Sequence, residues 1–226
     1  MSKKFRILIA ASFVFASSVH AKSSGKEPAQ VRLFAQGKDV EPKLLNSHLE
    51  TQGLNEYSYI SGIGIEVDYP ALTFFDLGIK ATTFYDRVNE VAEPSANPDN
   101  PYYSSIQQSS LSLVGRLSLI ETDLLRVESF GTIGAARTKV DIRTAAAEGK
   151  MYRGEKDWSS PVSSYGVSVA LGWSKFYIYV DAGIEHNRVD KLKHKGTTPS
   201  FVTEVNLSGT FMAVGLLFNG FPGLGG

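Results

Sequence analysis

The chain has 226 residues, of which 42% are apolar, 20% charged and 11% aromatic, a composition that excludes a disordered or collagen-like chain and suits one domain or two small ones. It has no cysteine, which removes disulfides, thiolate zinc sites, a cysteine nucleophile and acylation through an N-terminal cysteine. Lys+Arg and Asp+Glu both total 23, so no bulk positive charge points to nucleic acid.

The first 21 residues read as a cleaved secretory signal peptide. Lys3, Lys4 and Arg6 form a basic start, Ile7 to Ala16 a short apolar run, and Val19-His20-Ala21 ends with small residues at both recognition positions. The stretch is too short for a convincing membrane-spanning helix. Removing its three basic residues leaves residues 22–226 with 20 basic against 23 acidic, a net charge of −3. The longest apolar run in that portion is Phe211 to Phe218, far from the ~20 residues a helical span needs. An exported soluble domain or a transmembrane β-barrel remains, expected as a single domain.

Period-two alternation, the mark of a strand with two different faces, then recurs along the chain. Ala29 to Gln36 is the weakest candidate. Tyr57, Tyr59, Ile63, Ile65, Val67 and Tyr69 alternate with Ser58, Gly62, Gly64, Glu66 and Asp68. Phe75, Leu77, Ile79, Ala81, Thr83 and Tyr85 follow, against Asp76, Gly78, Lys80, Thr82 and Asp86. Leu111, Leu113, Leu117 and Leu119 oppose Ser110, Ser112, Arg116 and Ser118, and Leu125, Val127, Ile133 and Ala135 oppose Arg126, Glu128, Thr132 and Ala136. Tyr165 to Trp173 and Phe176 to Ile184 repeat the pattern, and a final segment runs from Phe201 to Phe218 with a change of phase near Gly209 that a bulge would explain. The connections alternate too. Long polar ones fall near 37–56, 89–104, 144–161 and 191–200, and short ones at Pro70-Ala71-Leu72, Glu121-Thr122-Asp123 and Ser174-Lys175. The fold class predicted is all-β, an eight-stranded antiparallel up-and-down transmembrane β-barrel with short turns at one end and long loops at the other.

Parity fixes some registers. Trp173 and Phe176 share a face only if Ser174-Lys175 is a two-residue turn, which sets Gly172 opposite Tyr177 and Ala170 opposite Tyr179. A three-residue turn at Glu121-Thr122-Asp123 would set Arg116 opposite Glu128. Aromatic residues bracket the apolar face: Tyr59 and Tyr69, Phe75 and Tyr85, Tyr165 and Trp173, with Phe176 and Phe218 at strand ends. Ten residues at ~3.3 Å rise and ~40° tilt span about 25 Å, the height of a lipid-facing band between aromatic girdles. The other face carries Gly, Ser and both signs of charge, which suits a crowded lumen. Glu66, Lys80, Arg116, Arg126, Glu128, Asp181 and Glu185 are therefore expected to point inward as a mutually neutralising plug, with a proton or ion pathway as the competing reading.

The aromatic-ended segment Val205-Asn206-Leu207-Ser208-Gly209-Thr210-Phe211-Met212-Ala213-Val214-Gly215-Leu216-Leu217-Phe218, together with this architecture, resembles the small outer-membrane-protein-A and X-like barrels of Gram-negative bacteria. The resemblance implies an outer-membrane location, contact with outer-membrane lipid and lipopolysaccharide, and a last strand read by the barrel-assembly machinery. Family members usually end on the aromatic residue, whereas eight residues follow Phe218 here, so the strand ends at Phe218 or Phe221.

Catalytic, cofactor and metal signals are not found. His48 and His194 fall in loops. His186 is expected on the lipid-facing side, where outer-membrane lipid A deacylases carry an outward His-x-Ser, but here the residues are His186-Asn187-Arg188 and the serine is missing. The function predicted is a non-enzymatic barrel anchor that displays loops for structural, adhesive or recognition roles, with Tyr102, Tyr103, Tyr152 and Trp158 as loop aromatics. A soluble lipocalin-like barrel in the periplasm and a lipid A-modifying enzyme are the alternatives.

Overall fold

The computed structural model describes residues 29–51, 54–89, 103–143, 151–173, 175–194 and 202–220. The leader, Phe201, Ser174 and Phe221 lie outside the described residues. Eight long strands follow one another: β1 (Gln30–Asp39), β2 (Tyr59–Leu72), β3 (Phe75–Asn89), β4 (Tyr103–Glu121), β5 (Leu125–Arg143), β6 (Met151–Trp173), β7 (Phe176–Val189) and β8 (Gly209–Asn219). Each pairs antiparallel with the next, and β8 pairs back onto β1 between Asn219↔Gln30 and Phe211↔Lys38, so the sheet closes on itself. Closure leaves no long edge with unpaired backbone groups, the condition for a strand structure in hydrocarbon.

The register at the last short turn follows parity: Trp173 pairs with Phe176, Gly172 with Tyr177 and Ala170 with Tyr179. The turn between β4 and β5 does not. Arg116 pairs with Phe130, and Glu128 with Ser118, because the turn lies further along the chain than expected; the register also shifts by one between Ser118 and Ile120. Leu119 is the extra residue of a bulge, and the turn centres on Asp123-Leu124, closed by the Thr122 amide donating to the Leu125 carbonyl at 2.8 Å. The observed register differs from the expected one by two residues, which leaves every face of the paired strands unchanged, so parity alone could not detect it.

Several stretches expected as connections are structured, Pro70-Ala71-Leu72 among them as the end of β2. β6 begins at Met151, so 151–161 is barrel wall, with Asp157, Trp158 and Ser159 bulging opposite Arg137. Within 37–56, β1 runs on to Asp39 and a helix follows, α1 (Lys43–Thr51). The expected bulge near Gly209 is absent. Val205-Asn206 pairs with Val189 and Arg188 in the same register that continues as Gly209↔Glu185. Tyr57, expected on the outward face, precedes β2 and is buried.

What changes along the barrel is which face is apolar. Near the short turns the outward face is apolar and exposed, with Ile63 at 65%, Leu113 at 63% and Ile133 at 68% of full exposure. Towards the long-connection end the inward face becomes apolar: Ile60, Phe84, Ile106, Val140, Ile142, Val189, Val205 and Leu207 are all buried inside. On β5 the outward apolar residues run from Leu125 to Ala135, about 25 Å along the axis, and the wall then rises about 20 Å further to Arg143. The apparent phase change near Gly209 is this inversion. Val205 and Leu207 point into the upper lumen, whereas Met212, Val214 and Leu216 point out. The strand stays regular and its surroundings change.

Candidate functional site: a plugged lumen

The lumen is filled in layers, and the strand alternation decides which side chains fill it. The layer nearest the short turns is ionic. Arg116 donates to Glu66, to Asp181 at 3.1 Å and to Glu128 at 3.4 Å. Arg32 reaches Asp68 at 3.0 Å and Glu128 at 2.7 Å. Arg126 pairs with Glu128, with Asp76 at 2.6 Å and with the Gln30 side-chain oxygen at 2.8 Å. All eight charged side chains are buried. Each carboxylate thus faces at least one guanidinium, which is what such groups need inside a narrow wall.

Above this layer Lys80 takes a different partner. Among the described residues its ammonium forms no ion pair, although its cross-strand neighbour Glu66 feels its charge; it lies 4.8 Å from the ring centre of Phe34, 5.6 Å from that of Phe211 and 5.8 Å from that of Phe130. The rings fit because glycines face them: a Cβ on Gly64 would fall 2.2 Å from Phe34, and one on Gly166 would fall 2.9 Å from Phe130. This clamp of three rings around a cation crosses the middle of the barrel.

Next comes a polar layer. Lys38 donates to Glu185 and, at 3.3 Å, to Gln108 Oε1, and stands 4.7 Å from the ring centre of Phe84. Thr132 and Ser164 share a hydrogen bond of 2.7 Å across β5 and β6.

The mouth at the long-connection end is closed by α1 and the segment 202–207. Leu45 and Leu49 of α1, with Val40, Leu54 and Tyr57, pack onto Ile60, Phe84, Ile106, Val140 and Val189 of the walls and Val202, Val205 and Leu207 of the returning segment. Asn46, buried on the same helix, clamps the chain: its Nδ2 donates to the Tyr57 carbonyl at 2.8 Å and its Oδ1 accepts from the Tyr57 amide at 2.9 Å. The Tyr57 hydroxyl donates to Ser104 at 3.2 Å, and burial holds that phenol well above its usual pKa. Burial lowers the pKa of His48 on α1.

The seven inward charges expected from sequence, Glu66, Lys80, Arg116, Arg126, Glu128, Asp181 and Glu185, all lie on the inward face and are buried. Arg116 and Glu128 meet diagonally instead of directly across. Arg32, Lys38, Asp68 and Asp76 complete the set. Asp68 and Asp76 share the polar face of their strands and were legible there. Arg32 and Lys38 lie on the weakest strand, where Phe34 points inward and blurs the alternation. The aromatic residues Tyr59, Tyr69, Tyr85, Tyr165 and Trp173 are exposed on the outward face, with Phe75, Phe176 and Phe218 half-buried; Phe176 and Phe218 contact edge to face at 5.5 Å. His186 is outward and its ring lies 6.2 Å from that of Tyr165. His194 falls in a two-residue strand against β6. Among the described residues no group of three or more His, Asp or Glu side chains could hold a metal. Trp158 is exposed on the β6 bulge, whereas Tyr102 and the side chains of Tyr103 and Tyr152 lie outside the described residues.

No family model and no curated protein matches the chain. Among solved structures it is similar to Ail, the attachment invasion locus protein of Yersinia pestis, solved with the heparin analogue sucrose octasulfate, at a TM-score of 0.51 and 11% identity over 86% of this chain and 99% of that one. It is equally similar to the outer membrane protein OprG from Pseudomonas aeruginosa, at a TM-score of 0.51 and 12% identity over 86% of this chain and 97% of that one. The fold is that of the small outer-membrane-protein-A and X-like barrels: a closed, eight-stranded antiparallel β-barrel.

Proposed function

We propose that the chain is a non-enzymatic integral protein of the bacterial outer membrane, exported through its leader, whose barrel anchors a rigid, capped platform on the outer surface. The observation that carries this reading is the inversion of the apolar face. Ile63, Leu113 and Ile133 are more than 60% exposed on the outside of a barrel whose inside is ionic, an arrangement that water would punish and hydrocarbon rewards. Beyond that band the same strands turn polar outward and apolar inward, as a wall standing in water does. A soluble lipocalin-like barrel would keep one inward apolar face along its length and line a cavity with it, which is contrary to the ionic lumen. A lipid A-modifying enzyme finds little support, since outward His186 is followed by Asn187 and Arg188 instead of a serine two positions on.

Around the band the reading takes outer-membrane lipid and lipopolysaccharide as partners, with Tyr59, Tyr85 and Tyr165 at one boundary and Tyr69, Trp173 and Phe218 at the other. The barrel-assembly machinery is its partner during biogenesis, nucleic acid is not a partner, and any extracellular partner meets the capped end. Cell fractionation with a gel-shift assay tests this. Protein recovered in the outer-membrane fraction and running differently before and after boiling supports it; soluble periplasmic protein with no heat-dependent shift overturns it.

A further inference from the structure

Between the Phe clamp and the apolar cap, the polar layer holds buried groups that no atom of the described residues satisfies. Both side-chain atoms of Asn187, Oε1 of Gln36, Nε2 of Gln108, Oγ1 of Thr138 and Oγ of Ser160 are shielded from solvent without a hydrogen-bond partner. These five residues are at most 4% exposed. Strand register sets Gln108 opposite Thr138 and all five side chains on the inward face, around the level of the Lys38–Glu185 pair. Inward residues read Phe34, Gln36, Lys38 and then Val40 on β1 and beyond it, Ile106, Gln108 and Ser110 on β4, Phe130 through Thr138 to Val140 on β5, and Glu185, Asn187, Val189 on β7. Ser160 is the inward residue next above Val162, which pairs with Asn187. Gln108 is oriented by Lys38, which takes its oxygen and leaves its amide nitrogen facing the lumen. The unsatisfied state of Asn187 survives exchange of its oxygen and nitrogen, since both are unpaired.

An unpaired buried amide or hydroxyl carries the full desolvation penalty of that group, and six such atoms on one stretch of the lumen call for partners. The charges here, Lys38 and Glu185, already neutralise each other, so the unmet demand is for neutral groups that both donate and accept. We propose that this compartment is a binding site for small hydroxyl ligands: water, or a polyol of about the size of glycerol, held by Asn187, Gln36, Gln108, Thr138 and Ser160. Ile60, Phe84, Ile106, Val189 and Leu207 close it above and the Phe34, Phe130 and Phe211 rings close it below, so exchange with bulk solvent is slow. The inference does not depend on where in the cell the barrel resides.

The test is NMR on the folded, heat-modifiable full chain in detergent micelles, reading the side-chain amides of Asn187, Gln36 and Gln108. Cross-peaks of these amides to long-lived water, with shifts that do not saturate when glycerol is added, assign water alone. Shifts that saturate with glycerol, and that are lost in Asn187→Leu, assign the polyol. Absence of both long-lived water cross-peaks and saturable shifts overturns the proposal. Asn187→Leu supplies a second reading: in a dry compartment it relieves two unpaired atoms and raises the urea midpoint, which would also overturn it, whereas in an occupied one the midpoint does not rise. The wild-type spectra decide the question by themselves if the variant fails to fold.

Discussion

Two buried cations of the lumen, Arg116 and Lys80, are held by opposite means, and their replacements should behave differently. Arg116 serves Glu66, Glu128 and Asp181 at once, so Arg116→Met leaves three carboxylates short of a partner and is expected to cost on the order of 3–5 kcal/mol. Glu128→Gln combined with it should cost less than the two losses added, because the pair is coupled. Urea titration of the folded barrel in micelles checks this, and strictly additive losses would mean that the two side chains do not interact. Lys80 is held by three ring faces, so Lys80→Met, which keeps an apolar stem among the rings, is expected to cost only about 0.5–2 kcal/mol. A Lys80→Met loss as large as that of Arg116→Met would show that its charge is needed by Glu66, its cross-strand neighbour.

Helix α1 is nine residues long, too short to be stable alone, and owes its existence to the surface it covers. Leu45→Ala with Leu49→Ala removes both anchors, and each buried leucine lost costs about 2–5 kcal/mol. Because that core lies above the apolar band, the expected outcome is local: limited proteolysis should cut within 40–58 while the remaining barrel keeps its heat-dependent gel shift. Loss of the shift would instead make the cap part of one cooperative unit with the barrel. Asn46→Ala removes two hydrogen bonds to Tyr57 and should produce the same cleavage more weakly. The cap should also respond to pH. Burial lowers the His48 pKa, so protonation opposes the capped state. Cap stability is then full above the unfolded value of about 6.5 and is lost progressively as pH falls below it towards the lower folded value. Protease protection measured between pH 7 and 5 should fall accordingly, and His48→Gln should flatten the profile.

At the scale of the whole molecule, the ionic layer, the Phe clamp and the apolar cap lie in series across one lumen. Eight strands enclose a bore only wide enough for side chains, and here large side chains from several walls meet across it. Purified protein in planar bilayers is expected to show no large, long-lived porin-like conductance. Reproducible channels that pass sugars would overturn the anchor reading in favour of a diffusion pore. The platform above the band has the opposite consequence for recognition. Its described walls are hydrogen-bonded strand and its roof is a packed core, so under the proposed reading a partner that bound these residues would meet a preorganised surface and lose little ordering entropy.

By itself the sequence determined the central part of most strands and its two faces, because a side chain's direction depends only on position within an extended chain. Glu66, Arg126 and Asp181 point inward and Ile63, Ile79 and Leu171 outward for that reason, and the Gly172–Tyr177 pairing followed from the same parity. Some features were visible but ambiguous. The shift from Val205 and Leu207 to Met212 and Val214 looks the same in one dimension whether a bulge rotates the strand or the surroundings exchange oil for water. Only tertiary structure decided that, by placing a packed core inside the upper lumen. It also decided the β4–β5 register, where a displaced turn with a bulge at Leu119 sets Arg116 opposite Phe130, and the helix in the first long connection, whose leucines make sense only against Ile60, Phe84 and Val189. The physical reason is common to all three. Alternation fixes where a side chain points, but what it meets there depends on strands far away in sequence.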